Sequence, residues 1–512
     1  MHRKILITPV AGALAVSAAA LAAAAPALAQ GVPAPIAVSQ AQDSYFVAAQ
    51  GDLSRLLARQ PNVRQAKNVI LFVGDGMSIP TMTAARIHKG QKAGADGEST
   101  RLALEELLPN VALSKTYTSD AQVADSAPTA TAMVAGVKAA NGTIGVTQAA
   151  VNDVCASQPG TEVTTIFELA ERAGLATGIV STARVTHATP AATYAKTVQR
   201  DWENDSQLSD EARANGCRDI AAQLIDWPAG DGFEVILGGG RANFMLADQA
   251  DPENADATGA RADGRDLVAE WKARRNDAAY VTNKEGFDAV DPAATGRILG
   301  LFERSHMQYE ADRDASPAGE PSLAEMTTKA IDVLARNDQG FVLMVEAGRI
   351  DHAHHAGNAF RALEDTVALD DAIAAAYERV DPEETLIIVT ADHGHVFTIA
   401  GYPERNNPIL GVAGEGDDGK PYTTLGYMNG PGAVAGERAD LSGIDTGHPD
   451  FLQQALVPLA ESETHSGDDV GVYAQGPWAY LFDGVMEQNM IYHIMALASG
   501  LPEKAALNGL SN

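Results

Sequence analysis

Three short polar stretches hold the residues best suited to chemistry, and each follows an apolar run. They are Gly74-Asp75-Gly76, Asp125-Ser126-Ala127 and Thr390-Ala391-Asp392-His393-Gly394-His395. Such apolar runs are typical of strands buried on both faces of a parallel sheet, whose carboxyl ends meet at one edge. A hydroxyl nucleophile beside carboxylates and imidazoles that hold paired metal ions is a known arrangement for phosphoryl transfer. The three stretches therefore predict a metal-assisted phosphoryl-transfer site.

A second group of metal-binding side chains lies between the second and third of these stretches. Asp351 and His355 are four residues apart, so in a helix both project from one face and can bind one ion. His352 and His354 flank them, and the alternative, a solvated polar helix start, leaves this run of histidines unexplained. Zinc usually takes at least three protein ligands, so His465 is predicted to join Asp351 and His355. Mixed oxygen and nitrogen ligands favour zinc over calcium.

A third group offers only oxygen ligands. Glu346 stands at the end of an apolar run, and together with Asp75 and Thr189 it forms a set that suits magnesium with several retained waters. His187 can orient one of those waters. Thr189 can equally be a turn hydroxyl before Pro190, and the residues alone leave both interpretations open.

Ser126 is the nucleophile in this interpretation, but its position also fits a structural role. The serine opens a helix predicted over 127–138, and Pro128 suits a first helical turn, so Ser126 can be an ordinary N-cap. In favour of catalysis, Asp125 precedes it, the small residues 129–132 let a ligand approach, and a helix N-terminus favours an anion. The local sequence does not decide between the two roles.

The elements that must position these residues alternate along the chain. Strands are predicted over 68–73, 111–118, 176–181, 233–237, 341–345 and 385–390. Helices are predicted over 45–59, 127–138, 163–173, 219–226, 321–335 and 359–379. This alternation predicts an α/β fold, doubly wound, with a mostly parallel central sheet and helices on both faces. The candidate residues follow the strands, where ligands bind in open sheets of this kind.

Composition and charge patterns divide the chain into segments. Residues 1–29 have a basic start, an Ala-rich apolar run and an Ala27-Leu28-Ala29 cleavage site, which predict a secretory signal peptide. A linker and helix are expected over 30–66 and a core domain over 67–400, with a polar excursion from the sheet at 247–320. An insert or a subdomain is expected over 401–464 and a return to the core over 465–512. No later segment is long and apolar enough to span a bilayer, so we expect a soluble protein in the periplasm or outside the cell.

The net charge of the chain restricts the kinds of partner and substrate that it is expected to bind. A formal net charge of −30 argues against nucleic acid, because neutralising phosphates requires clustered Lys and Arg. An anionic substrate must therefore be attracted locally, by metals and a few arginines. The two cysteines, Cys155 and Cys217, are expected to form a disulfide in an exported protein, the alternative being two buried thiols.

Taken in order, these motifs resemble those of the alkaline phosphatases. Asp125-Ser126-Ala127, Thr390-Ala391-Asp392-His393 and Thr464-His465-Ser466-Gly467 are similar to the nucleophile and metal motifs of that family. The similarity runs from about residue 67 to about residue 497. Gly348-Arg349-Ile350-Asp351-His352 and Gly476-Pro477 are closest to the animal branch. The resemblance implies two zinc ions and one magnesium ion per chain, and hydrolysis of small phosphate monoesters at alkaline pH through a phosphoserine.

The resemblance also implies a role for each site residue. Ser126 is the expected nucleophile and Arg200 the expected phosphate clamp. The expected ligands are Asp351, His355 and His465 for the first zinc; Asp75, Asp392, His393 and Ser126 for the second zinc; and Asp75, Thr189 and Glu346 for magnesium. His187 and His352 are expected to position water and phosphate, and histidine at both positions implies a more alkaline optimum than that of the bacterial type.

Further expectations come from the animal branch of the family. A calcium ion remote from the catalytic residues would be held by Glu253, the Phe302 carbonyl, Glu303 and Glu320. Cys155 and Cys217 match a disulfide of that branch. The 401–464 segment resembles the family's variable crown, which implies a homodimer.

Two other classes of function compete with this interpretation. A sulfatase of the same metal core needs an Arg four residues after its nucleophile, which the Ser126-Ala127-Pro128-Thr129-Ala130 stretch lacks. Diesterases lack an arginine at the position of Arg200 and tend to use Thr as the nucleophile. A non-catalytic metal- or phosphate-binding protein on the same scaffold would have lost the nucleophile or the ligands, and here all are present.

Overall fold

The computed structural model of the protein describes residues 42–274 and 277–509. Its strands are β1 (Asn68–Gly74), β2 (Asn110–Lys115), β3 (Ala176–Arg184), β4 (Val235–Gly239), β5 (Ala278–Val281), β6 (Arg297–Leu301), β7 (Phe341–Ala347), β8 (Thr385–Ala391), β9 (Gly394–His395), β10 (Phe397–Ile399), β11 (Val412–Glu415), β12 (Pro421–Thr423), β13 (Leu425–Gly430), β14 (Ala455–Pro458), β15 (His465–Ser466), β16 (Val470–Gln475) and β17 (Val485–Glu487).

Its helices are α1 (Ser44–Ala58), α2 (Ile79–Lys92), α3 (Ala103–Leu107), α4 (Ser126–Ala135), α5 (Ile166–Arg172), α6 (Ala188–Ala191), α7 (Asp210–Asn215), α8 (Ile220–Ile225), α9 (Leu267–Ala273), α10 (Lys284–Asp288), α11 (Leu323–Leu334), α12 (Arg349–His355), α13 (Ala359–Arg379), α14 (Met490–Ser499) and α15 (Leu501–Gly509).

A ten-stranded sheet organises the chain after residue 60. The strand order is β17-β2-β16-β8-β1-β7-β3-β4-β6-β5. The strands β8, β1, β7, β3, β4, β6 and β5 run parallel to one another, whereas β16 runs antiparallel to both of its neighbours, β2 and β8. The predicted α/β class with a mostly parallel central sheet is therefore confirmed.

Alternating side chains of β1 serve two separate hydrophobic layers. Val69, Leu71 and Val73 contribute to one buried cluster, which also includes apolar residues of α4, α5, α8 and α14. Ile70 and Phe72 contribute to the other, together with apolar residues of α11 and α13. Because successive side chains of a strand point to opposite faces, an unbroken apolar run is needed where both faces are covered. That requirement explains the Asn68–Gly74 sequence.

Two sheet strands lie in a segment predicted to leave the sheet. Residues 247–320 were expected to be an excursion, but β5 and β6 fall inside this range and form one edge of the ten-stranded sheet. That prediction was wrong because the two strands are short and are flanked by Asp-rich and Pro-rich turns, so the polar composition hides them. The predicted 111–118 strand ends earlier, at Lys115, and the other five predicted strands were found with small changes at their ends.

Three smaller sheets lie beside the ten-stranded one. Strands β10, β13 and β14 form one, β11 and β12 form the second, and β9 pairs with β15 in the third. The 401–464 segment, expected to be an insert, holds β11 to β14. The β9–β15 pair matters for function because it brings His395 opposite His465.

Helix α1 belongs to the unit that ends at residue 60 and is described by itself. Asp43 caps it by accepting hydrogen bonds from the backbone of Tyr45 and Phe46, and none of its side chains is buried. The predicted signal peptide at 1–29 lies outside the described residues. Within the described residues, every helix is too short or too polar to cross a bilayer.

Cys155 and Cys217 form a disulfide, as expected for this pair. Their sequence separation of 62 residues is large. A cross-link over a loop of that size stabilises the folded state by about 4 kcal/mol on the chain-entropy model.

Replacing Cys155 and Cys217 together with serine should lower the free energy of unfolding by about 2–4 kcal/mol, because the unfolded chain regains its loop entropy. Urea unfolding followed by circular dichroism measures this change. Reducing agent should shift the unfolding midpoint of the wild type in the same direction and should not shift that of the double variant. Equal midpoints for the wild type and the double variant would contradict the expectation.

Candidate active site

The register of four central strands brings the candidate carboxylates to one edge of the sheet. Asp75 follows β1 and Asp392 follows β8, and the last paired residues of these strands are Gly74 and Ala391. Glu346, in β7, is opposite Val73 of β1 on one side and Ser181 of β3 on the other. Asp75, Glu346 and Asp392 are all completely buried.

The structure separates the two roles that the sequence left open for Ser126. Asp125 is the N-cap of α4, and its side chain accepts a hydrogen bond from the backbone N–H of Ala127 at 2.7 Å. Ser126 is the first helical residue, so its hydroxyl does not serve as the N-cap of the helix. The hydroxyl donates to Asp75 Oδ1 at 3.3 Å and lies 3.1 Å from His393 Nε2. The buried serine therefore faces the candidate metal ligands.

The residues predicted for the second zinc converge around Ser126. His393 Nε2 is 3.2 Å from Asp392 Oδ2 and 3.5 Å from Asp75 Oδ1. Asp75 Oδ2 and Asp392 Oδ2 are buried and make no hydrogen bond to any described residue. Buried carboxylate oxygens are normally hydrogen-bonded or bound to a metal, so these two atoms fit a cation between them.

The residues predicted for the first zinc also meet. Helix α12 places Asp351 and His355 on one face, with His355 Nε2 at 3.4 Å from Asp351 Oδ1. His465, which is 110 residues farther along, brings its Nε2 to 3.0 Å from His355 Nε2 and 3.3 Å from Asp351 Oδ1. Two imidazole nitrogens and a carboxylate oxygen facing one point are a donor set that suits zinc.

His395 belongs to this group and was not assigned a role from the sequence. Its Nε2 is 2.8 Å from Asp351 Oδ1 and its Nδ1 is 2.5 Å from Glu463 Oε2. Burial lowers the pKa of His395, but hydrogen bonds to Asp351 and Glu463 outweigh burial and raise it to about 9. The available signal was the spacing of His393 and His395, two residues apart just beyond a buried strand. The role of Glu463 carried no local signal.

The oxygen-rich group predicted for magnesium lies next to the second zinc group. Ligand atoms of Asp75, Glu346 and His187 lie within 4.8 Å of one another. Thr189 faces Glu346, and the Ser181 hydroxyl donates a hydrogen bond to Glu346 Oε2. Glu346 Oε1 is buried without a hydrogen-bond partner among the described residues. Thr189 thus lies within the site, although it also sits in the short helix α6 before Pro190.

Burial of so many carboxylates has a direct electrostatic effect. Burial, followed by repulsion from Asp392 and Asp351, raises the pKa of Asp75 well above its usual range. Burial likewise raises the pKa of Glu346 to about 7 despite the Ser181 hydrogen bond. Burial would raise the pKa of Asp351 too, but His355, His395 and His465 lower it well below the usual range. Among the described residues, the positively charged groups near Asp75 and Glu346 are therefore too few to offset the burial of these carboxylates.

Arg200 contacts both the residue before Ser126 and one of the candidate metal-site histidines. Its Nη1 donates to Asp125 Oδ1 at 3.1 Å and its Nη2 lies 2.9 Å from His187 Nε2. The rings of His187 and His352 are 5.4 Å apart between centroids. The predicted phosphate-positioning residues Arg200, His187 and His352 therefore lie together.

The residues predicted to hold calcium line one cavity. Glu253, Phe302, Glu303 and Glu320 surround about 300 Å³, together with Asp312 and Asp314. Arg241 Nη2 pairs with Glu253 Oε2 at 2.5 Å, so this carboxylate has a cationic partner already. Burial, assisted by Glu303, raises the pKa of Glu320 to about 8. The donor set fits a hard cation, and Arg241 competes with that cation for Glu253.

Comparison with known proteins gives consistent matches over nearly the whole described chain. A family model described as alkaline phosphatase matches residues 66–501. The chain is 46% identical over 462 residues to the tissue-nonspecific isozyme of alkaline phosphatase from Rattus norvegicus, covering 88% of this chain and 87% of that protein. It is 46% identical over 461 residues to alkaline phosphatase from Gadus morhua, and the match covers 88% of this chain and 95% of that protein. The crystal structure of Thermus thermophilus alkaline phosphatase matches with a TM-score of 0.62 and 26% sequence identity. This match covers 88% of this chain and 97% of that chain.

Zinc added to chelator-treated protein should raise the melting temperature by several degrees, because a cation bound only by the folded state stabilises it by about 2–4 kcal/mol at saturating concentration. Asp392→Ala should reduce this rise, since it removes one of the unpartnered buried oxygens. Differential scanning calorimetry with and without zinc measures both effects.

A matched control comes from a second carboxylate cluster formed by Glu171, Asp231 and Glu234. Glu171→Gln should keep the zinc response of the wild type, because this cluster lies outside the site around Ser126. If Glu171→Gln loses the zinc response and Asp392→Ala retains it, the metal site is elsewhere.

Proposed function

This chain belongs to the alkaline phosphatase family, and from that premise we propose that Ser126 is its nucleophile and Arg200 its phosphate clamp. The protein is a metal-dependent hydrolase of phosphate monoesters. The observation that carries the Ser126 proposal is the position of its hydroxyl: a buried first-turn residue within 3.3 Å of Asp75 and 3.1 Å of His393.

The proposed reaction has two displacements at phosphorus. In the first, Ser126 Oγ releases its proton to solvent and forms a bond with phosphorus while the ester P–O bond breaks, and the alcohol leaves with a proton taken from solvent. In the second, water attacks the phosphoserine, inorganic phosphate leaves and Ser126 recovers its proton. Two easier steps thus replace one difficult step. The hydrogen bond from the serine hydroxyl to Asp75 Oδ1 fixes the direction from which Oγ approaches.

Arg200 is proposed to hold the phosphoryl group during both steps. A guanidinium binds two phosphoryl oxygens at once, which an ammonium does not. Asp125 orients Arg200 through Nη1 and His187 orients it through Nη2. Asp125 therefore supports catalysis at two points, because it also caps the helix that presents Ser126.

The metal content is proposed to be two zinc ions and one magnesium ion per chain. Zinc would take Asp351, His355 and His465 at one position and Asp75, Asp392, His393 and Ser126 at the other. Magnesium would take Asp75, Thr189 and Glu346, with His187 positioning a water. Metals at these groups lower the pKa of coordinated hydroxyl groups and offset charge on the phosphoryl group.

Further properties are proposed from the family and from the first residues of the chain. Calcium would be held by Glu253, the Phe302 carbonyl, Glu303 and Glu320. A homodimer would use the 401–464 segment, and the signal sequence at 1–29 would direct export to the periplasm or the extracellular space. Small phosphate monoesters would be the substrates, with no nucleic acid partner.

Ser126→Ala should lower kcat for p-nitrophenyl phosphate by about 10³-fold or more, because it removes the hydroxyl proposed to form the phosphoenzyme. Metal analysis of the same preparation should find unchanged zinc and magnesium within about 20%. The control is Ser114→Ala, since Ser114 is another fully buried serine but lies in β2. That variant should turn over like the wild type, and near-wild-type turnover by Ser126→Ala would refute the proposed nucleophile.

The substrate class is tested with the matched diester. The wild type should hydrolyse p-nitrophenyl phosphate much faster than bis-p-nitrophenyl phosphate, because a dianionic terminal phosphoryl group would be stabilised better by Arg200 and the proposed cations than a monoanionic diester. A faster rate on the diester would favour a phosphodiesterase instead.

A further inference from the structure

Three imidazoles, rather than the two expected, meet beside Arg200. The third is His306, which follows β6 and received no role from the sequence. Its ring centroid is 4.0 Å from that of His352 and 5.3 Å from that of His187. The rings of His306 and His187 meet nearly edge to face, at an interplanar angle of 80°.

The backbone of the His306 segment is fixed against the ends of two sheet strands. The backbone N–H of Met307 donates to the Thr182 carbonyl at 3.0 Å, and the N–H of Gly240 donates to the Ser305 carbonyl at 2.7 Å. Thr182 belongs to β3 and Gly240 follows β4, so hydrogen bonds hold the segment on both sides of His306. Its side chain is therefore presented from a rigid base.

Arg184, in β3, fixes the His306 ring itself. Its Nη1 donates to His306 Nε2. Nε and Nη2 of the same guanidinium donate to Glu203, at 2.8 Å and 2.6 Å from its carboxylate oxygens. A guanidinium bound in this way cannot rotate, so the imidazole it holds keeps one orientation.

The contacts continue from His306 to the proposed phosphate clamp. His306 packs against His187, and His187 Nε2 accepts a hydrogen bond from Arg200 Nη2 at 2.9 Å. Without the third ring, His187 would have space to tilt, and its hydrogen bond to Arg200 would lengthen. On this basis we propose that His306 is a positioning residue, which fixes His187 and thereby aligns Arg200 for phosphate binding.

The chemistry of His306 favours this role over metal binding. Among the described residues, His306 takes part in no cluster of three ligand atoms close enough to share an ion. Burial, with His352 and Arg184, lowers the pKa of His306, so the ring is neutral at neutral and alkaline pH. A neutral ring held by Arg184 acts through its shape and contacts rather than its charge.

The experiment compares two substitutions at position 306 in the metal-loaded enzyme. His306→Ala removes the ring and should raise both the KM for p-nitrophenyl phosphate and the inhibition constant of inorganic phosphate by about three- to tenfold, the value of an aromatic pair. Its kcat should change by less than about twofold. His306→Phe keeps a ring of similar size and should hold both constants within about twofold of the wild type.

Ser305→Ala is the matched control. The Ser305 hydroxyl accepts from Arg184 Nη1 at 3.2 Å but lies outside the group of three rings. This variant should have wild-type KM and phosphate inhibition. The proposal is overturned if His306→Ala leaves phosphate inhibition unchanged. It is also overturned if His306→Phe weakens phosphate inhibition as much as His306→Ala does, because packing of a ring against His187 would then not explain the effect.

The proposed role of His306 rests on the proposed role of Arg200, and one more variant tests the two roles separately. Arg200→Ala should weaken phosphate inhibition more than His306→Ala. If Arg200→Ala has no effect, the clamp proposal fails and the role of His306 fails with it. If Arg200→Ala weakens inhibition and His306→Ala does not, only the role of His306 is refuted.

Discussion

Burial of several carboxylates at one edge of the sheet is the constraint on which the rest of the site depends. Asp75, Glu346 and Asp392 are fully buried, and burial, with repulsion from neighbouring carboxylates such as Asp351, raises the pKa of each. Isolated buried charges of this kind cost several kcal/mol each unless they are paired or bound to a cation. Within the part of the chain that the structure describes, imidazoles surround Asp351, whereas oxygens of Asp75, Asp392 and Glu346 have no hydrogen-bond partner. Cations bound here, as proposed above, would stabilise this edge of the sheet as well as make it reactive.

The local charge of the site contrasts with the charge of the whole protein. A chain with a formal net charge of −30 repels phosphate monoesters at long range. Under the proposed roles, attraction would come from bound cations and from Arg200, which are effective because the surrounding groups are buried and poorly screened. An anionic substrate would then be attracted only close to the proposed site, against the negative charge of the whole chain.

The histidines of the site fall into groups according to the side chains that they face. His355, His393 and His465 face carboxylates at distances that allow a shared ion. His395 instead bridges Asp351 and Glu463, two residues more than a hundred positions apart, and so orients a proposed ligand. His187, His306 and His352 face arginines and one another. Loss of such orienting groups typically lowers metal affinity or activity by about 10- to 100-fold.

The sequence alone determined the fold class, most central strands and the residues that could act, because apolar runs and ligand spacings such as Asp351 to His355 are local patterns. It did not reveal β5 and β6, whose short strands are concealed by polar turns, nor could it decide whether Ser126 caps its helix. Those answers, and the roles of His306, His395 and Glu463, depend on contacts between residues distant in the chain. Only the tertiary structure, which sets the strand register and the loop positions, decides which distant side chains meet.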